Sequence, residues 1–152
     1  MKTKILLNPF YNVESDLLEI GIDEAGRGPM FGRVYCAAVI LPKNKNFKFE
    51  LLKDSKKFSS TKKINEVADY IKNNALAYSI NFCDEKTIDN INIRNATLNT
   101  MHKCIEIITN NREKLENECK YSKNSENFYL LVDGNDFKPY TYINENNSLE
   151  QI

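Results

Sequence analysis

Ile20-Gly21-Ile22-Asp23-Glu24-Ala25-Gly26-Arg27-Gly28-Pro29-Met30-Phe31-Gly32-Arg33-Val34 is the stretch on which the reading of the whole chain turns. An apolar strand start runs into two adjacent carboxylates, then into a glycine-rich turn that carries an arginine. Carboxylates that converge without a basic partner suit a hard divalent cation such as Mg²⁺. The Gly26-Arg27-Gly28 step lets backbone approach a ligand closely, because glycine has no Cβ in the way. Strict strand alternation points Asp23 and Glu24 in opposite directions. Both reach one centre only if the backbone bends near Ala25-Gly26, or if one acid acts through water. The plainer reading of the acids is a solvated strand end, and of the turn an ordinary glycine turn with a surface arginine.

Working outward, Leu17–Glu24 reads as a first strand. Val34–Leu41 is nearly all apolar and stops at Pro42, which favours a central strand covered on both faces. A turn through Gly32 joins the two, so a hairpin is the natural pairing. Residues 1–16 are polar and irregular, a loose leader or an edge segment, and residues 43–57 form a lysine-rich loop. Ser59 or Ser60 can cap a helix on which Ile64, Val67, Ala68, Ile71 and Ala75 recur at helical spacing. Leu76–Phe82 returns to strand character, and Asp84 caps a short helix through Ile88. A longer helix starts near Arg94, carries Leu98, Met101, Ile105 and Ile108 on one stripe, and runs toward Leu115. Phe128–Val132 is a short apolar strand that ends at Asp133-Gly134. A strand that follows a long helical crossover can lie parallel to an earlier one, so the expected class is α/β with a mixed sheet. No repeat or linker divides residues 17–152, which read as one domain.

Composition narrows the classes. At 41% hydrophobic and 28% charged residues, the 152-residue chain can bury a real core and has no apolar run of membrane-spanning length. Cys36, Cys83, Cys104 and Cys119 are widely spaced, which favours buried free thiols over a disulfide framework or a zinc knuckle. The formal net charge is zero, so bulk charge does not announce nucleic acid. Residues 43–63 nevertheless hold eight lysines against Glu50 and Asp54, a local surplus that attracts phosphate, or else a solvated loop. His102, close to an apolar helical stripe, reads as a packed helix residue in preference to a catalytic base.

Gly21-Ile22-Asp23-Glu24-Ala25-Gly26-Arg27-Gly28-Pro29 resembles the signature of type 2 ribonuclease H, and further matches follow in that family's order. They are Asp54-Ser55-Lys56-Lys57, Ile91-Asn92-Ile93 to Ala96-Thr97, Met101-His102, Leu131-Val132-Asp133-Gly134-Asn135 and Phe137-Lys138-Pro139-Tyr140. The resemblance implies a ribonuclease H-like mixed β-sheet flanked by helices, with the fourth strand beside the first. That adjacency brings Asp133 close to Asp23. It also implies an endonuclease that hydrolyses the RNA strand of RNA/DNA hybrids and cuts at ribonucleotides embedded in duplex DNA, by a two-metal-ion mechanism. Asp23, Glu24 and Asp133 are then the ligands of Mg²⁺ or Mn²⁺. Gly26, Arg27 and Gly28 meet the ribose 2′-hydroxyl and a neighbouring phosphate. Ser55, Lys56 and Lys57 contact backbone phosphate while Asp54 orders their loop, and Asn92 and Thr97 line the groove or hold phosphate. Asn135 positions Asp133, and Lys138 is near enough in sequence to approach the site. Such a protein is expected in the cytoplasm, or the nucleus of a cell that has one, and as a monomer at full length.

Two departures qualify the resemblance. Met30-Phe31-Gly32-Arg33 stands where the family has smaller residues, so Phe31 and Arg33 alter the groove rim. The family's fourth carboxylate, in a Gly-Asp step, and the helix after it have no counterpart before Ile152; Glu145 and Glu150 lack that context. The chain therefore reads as lacking the C-terminal part, which could leave an apolar face uncovered. The alternatives are an inactive remnant that binds nucleic acid through the 43–63 lysines, a metal nuclease with no need of a ribose, and a piece that does not fold.

Overall fold

The computed structural model describes residues 8–12, 14, 15, 17–29, 31–44, 46–110, 128–133, 137–143 and 149–151. Met30, Cys119, Gly134, Asn135 and Glu145 lie outside them. Strand β1 (Leu18–Ala25) and strand β2 (Val34–Ile40) are followed by two short 3₁₀ turns, Phe49–Leu51 and Ser55–Lys57. Helix α1 (Thr61–Asn74), strand β3 (Ala77–Cys83), helix α2 (Glu85–Ile91), helix α3 (Ile93–Asn110) and strand β4 (Phe128–Val132) come next. Strands β5 (Thr141–Ile143) and β6 (Leu149–Gln151) form a separate antiparallel pair that the hydrophobic pattern did not announce. Ser60 and Asp84 are the side chains that cap α1 and α2, accepting from the N–H groups of Lys63 and Thr87.

The main sheet has the order β3-β2-β1-β4. Strands β1 and β2 form the expected hairpin, β3 pairs antiparallel with β2, and β4 pairs parallel with β1. This is the mixed sheet read from the sequence, with boundaries moved by a residue or so. Among the described residues its main buried cluster lies on the side of α3. Ile20 and Ile22 of β1, Val34, Cys36, Ala38 and Ile40 of β2, and Met101, Cys104, Ile105 and Ile108 of α3 make one buried cluster. The apolar stripe of α3 thus supplies one helical layer, as period 3.6 against period 2 requires.

The opposite face corrects the expectation that β2 is covered on both sides. Tyr35 on β2 is 45% exposed, and Tyr78, Ile80 and Phe82 on β3 are 45%, 54% and 50% exposed. An unbroken apolar run cannot tell a strand that is covered twice from one whose second cover is elsewhere.

One corner of that face is covered by the N-terminal segment. The Glu19 carboxylate accepts the N–H groups of Tyr11 at 2.9 Å and Asn12 at 3.0 Å, and pairs with Lys43 Nζ at 3.1 Å. Lys43 Nζ also donates to the carbonyls of Asn12 and Ser15. Both side chains are under one-tenth exposed, so Lys43 belongs to the interior and not to the phosphate-attracting lysines. Phe10, Phe49, Phe47 and Tyr70 stack in turn at 5.2, 4.8 and 5.3 Å, fastening this segment to the loop and to α1.

Burial opposes the Glu19 charge, but the hydrogen bonds from Asn12 and Tyr11 and the Lys43 ammonium outweigh it and hold its pKa below the usual glutamate value. Glu19 therefore contributes stability that is present above the unfolded-state value and lost as pH falls through the lowered folded value. Glu19→Ala, which leaves Lys43 buried and unpaired, is expected to lose about 3–5 kcal/mol in urea unfolding and to flatten the acid limb of stability against pH.

Candidate metal centre

The site is built by the parallel ladder. Ile22 stands opposite Val132, and the pairing continues one step past β4, where Asp133 N–H donates to Ile22 C=O at 3.1 Å. Ile22 is buried and Val132 packs on the same core, so both turn toward α3. Alternation then sends the next residue on each strand, Asp23 and Asp133, to the opposite face side by side. Both acids are exposed, and Asp23 Oδ1 accepts from the N–H of Glu24 at 2.7 Å.

Glu24 is placed differently. It stands opposite Cys36, whose side chain is buried on the α3 side, and its carboxylate lies 3.7 Å from the Arg27 guanidinium. Strand β1 stays regular through Ala25, so no bend occurs between the two adjacent acids. The structure brings Asp23 and Asp133 together and leaves Glu24 on the other face. Among the described residues no group of three His, Cys, Asp or Glu side chains gathers to hold an ion.

The donors present still suit the cation. Mg²⁺ takes hard oxygens and is commonly held by one or two carboxylates with water and substrate phosphate completing the shell. Asp23 and Asp133 are such a pair, open to solvent. The nearby Cys36 is not a competitor: burial, then Cys104, Glu24 and Asp23, push its thiol up to about 12, so it stays protonated. Cys36, Cys83 and Cys104 are all free and buried, as the spacing implied.

The glycines of the turn differ in kind. Gly26 has φ +91°, and a Cβ there would sit 2.5 Å from the Arg33 carbonyl oxygen; Gly28 has nothing within 4 Å. Gly26 makes the turn possible, while Gly28 leaves open space beside it. Arg27 is half exposed, and its ion pair with Glu24 spans i to i+3 on the surface, so its release costs little. Phe31 is 89% exposed, and the Arg33 guanidinium lies 4.5 Å over the Phe82 ring.

Ser55, Lys56 and Lys57 form an exposed 3₁₀ turn, ordered by Asp54, whose Oδ1 accepts Lys56 N–H at 2.9 Å. Asn92 joins α2 to α3 at φ 65°, and its Oδ1 accepts from Asn95 N–H at 3.0 Å. Thr97 does not line a groove: it is 3% exposed, and its hydroxyl donates to the Ile93 carbonyl. His102 packs edge-on against Phe137 and Tyr140, with Nε2 2.9 Å from the Lys138 carbonyl oxygen. It pins the chain that follows Asp133. The Glu19–Lys43 latch was missed because a buried ion pair between distant residues leaves no local pattern.

A ribonuclease HII family model matches residues 20–127. The chain belongs to the ribonuclease HII family. It is 38% identical over 138 residues to ribonuclease HII of Bacteroides fragilis, covering 91% of this chain and 59% of that protein. Against ribonuclease HII of Cytophaga hutchinsonii the identity is 41% over 126 residues, covering 83% of this chain and 54% of the relative. The chain thus spans under three-fifths of the length of these ribonucleases. A solved ribonuclease HII of Archaeoglobus fulgidus, in complex with PCNA, shares the fold with a TM-score of 0.52 at 22% identity. That match covers 77% of this chain and 62% of the other.

Gly26→Ala is expected to lose about 2 kcal/mol or more, because positive φ and the clash with the Arg33 carbonyl add. Gly28→Ala should unfold like the parent. Urea melts of the two variants check this, and equal losses would contradict the division of roles.

Proposed function

We propose that this ribonuclease HII chain carries the endonuclease centre that hydrolyses the RNA strand of RNA/DNA hybrids and cuts duplex DNA at embedded ribonucleotides. The reading rests above all on Asp23 and Asp133, set in register on neighbouring parallel strands beside the Gly26-Arg27-Gly28 turn. Family membership supports it.

Each residue then has a task. Asp23 and Asp133 present carboxylate oxygens for Mg²⁺ or Mn²⁺. When bound, the cation supplies Lewis acidity and lowers the pKa of a water. Glu24 takes part through water, or after parting from Arg27. Backbone groups freed of side-chain cover at Gly26 and Gly28 meet the 2′-hydroxyl, which deoxyribose lacks. Arg27 pairs with a phosphate in exchange for Glu24. Ser55, Lys56 and Lys57 hold backbone phosphate and set position, not sequence. The expected products carry a 5′-phosphate and a 3′-hydroxyl.

A second reading follows from one observation: Glu24 faces away from the two aspartates, so among the described residues only two acids converge. In that case it binds hybrid without cutting it.

The test is cleavage of a DNA duplex holding one ribonucleotide, with Mg²⁺ and then Mn²⁺. Nicking on the 5′ side of the ribonucleotide, reduced on the order of 10³-fold in Asp23→Asn and Asp133→Asn, is the expected result. Binding without nicking selects the second reading, and cutting of all-DNA duplex overturns both. Lys56→Ala and Lys57→Ala should weaken hybrid binding and each reduce the slope of log affinity against log salt by about 1.

A further inference from the structure

The lysines around the first helix are held in two different ways. Lys43 is neutralised by Glu19 in the interior, and Lys72 on α1 pairs with Asp69 at 3.6 Å. Lys53 has no carboxylate within ion-pair distance among the described residues. Its ammonium lies instead 4.5 Å over the Phe58 ring. A carboxylate partner cancels an ammonium charge and occupies its N–H groups. A ring face orients the same group and leaves charge and donors available to a further ligand. Lys53 is thus exposed, held in place and still a full cation.

The loop defines where that cation sits. Lys53 and Phe58 bracket the 3₁₀ turn Ser55–Lys57, so their contact closes across the foot of the turn that carries Lys56 and Lys57. Inside the turn Asp54 is engaged by backbone, its Oδ1 accepting Lys56 N–H and its carbonyl accepting Lys57 N–H, both at 2.9 Å. The loop is fastened to α1 at both ends. After the turn, Ser60 caps the helix. Before it, the Tyr70 hydroxyl accepts Lys48 N–H at 2.9 Å, and the Tyr70 ring packs on buried Phe47 at 5.3 Å. Three like charges on one short, exposed and fastened loop repel one another, and a polyanion relieves that repulsion.

We infer that Lys53 is a phosphate contact beside Lys56 and Lys57, aimed by the Phe58 ring. Phe58 is its positioning residue and touches no nucleic acid itself. The loop then meets the backbone of a nucleic-acid duplex as one preordered unit, and adds affinity without reading sequence. Lys72, whose charge Asp69 already answers, stands outside this footprint. The inference rests on the nucleic-acid part of the function proposed above and not on cleavage.

The experiment measures binding of a blunt RNA/DNA hybrid to the 152-residue chain by fluorescence anisotropy, over a salt series with EDTA present so that nothing is cut. Lys53→Ala should weaken binding several-fold and reduce the slope of log affinity against log salt by about 1. Lys53→Arg should keep the parental slope. Phe58→Leu leaves every charge in place, so affinity should fall several-fold at unchanged slope, and Phe58→Tyr should restore it. Lys72→Ala should change neither quantity. Lys53 is exposed, so its variants should melt like the parent, and they decide the matter alone if Phe58→Leu does not fold. A folded Lys53→Ala with the parental slope, or an equal loss of slope in Lys72→Ala, would overturn the inference. If Lys56→Ala lowers the slope and Lys53→Ala does not, the proposed function stands and this inference falls. Salt-dependent binding that needs Lys53, without nicking when Mg²⁺ is added, supports this inference against the cleavage reading. A parent chain that binds no hybrid overturns both.

Discussion

The hydrogen bond from Asp133 N–H to the Ile22 carbonyl, the last rung of the parallel ladder between β1 and β4, is the constraint on which the rest depends. It joins residues more than a hundred positions apart and fixes a register with no slack. A slip of one residue would turn Asp133 toward the core and Val132 toward solvent. The Ile22 and Val132 side chains resist that slip because both pack on the cluster under α3. Core packing and acid placement are therefore one fact seen from two faces. The same alternation that gathers Asp23 with Asp133 separates Glu24 from both.

Much of this was legible in residues. The strands and helices announced themselves through Val34–Ile40, the Met101, Ile105 and Ile108 stripe, and the caps Ser60 and Asp84. The parallel pairing was only permitted by the pattern; resemblance to a family selected it, since sequence does not say which strand a crossover returns to. The turn was read as a unit, yet its glycines differ, and only backbone geometry distinguishes a required positive φ from open space. By sequence Lys43 belongs to the run that attracts phosphate or is solvated, and nothing local reveals its partner Glu19, which lies far away along the chain. Thr97, expected to line the groove or hold phosphate, is turned inward by its helix face.

The two halves of the non-helical face explain each other. Where the N-terminal segment crosses, Glu19 and Lys43 bury their charges against backbone and Tyr11 lies 5.8 Å from Tyr129. Where nothing among the described residues crosses, the side chains of β2 and β3 are apolar and bare. Apolar surface of a sheet that no packed element covers is left to find a cover. Asp23 stands on the boundary between these halves, opposite Ala37 of β2.

Titration of the chain with Mn²⁺, followed by the paramagnetic signal of the free ion, tests the central claim most directly. Asp23→Asn and Asp133→Asn should each weaken binding at least tenfold, and the double variant should be little worse than either single one. Glu24→Gln should change affinity much less. Full binding after loss of either aspartate, or independent losses that add, would contradict a shared site built by the β1–β4 ladder.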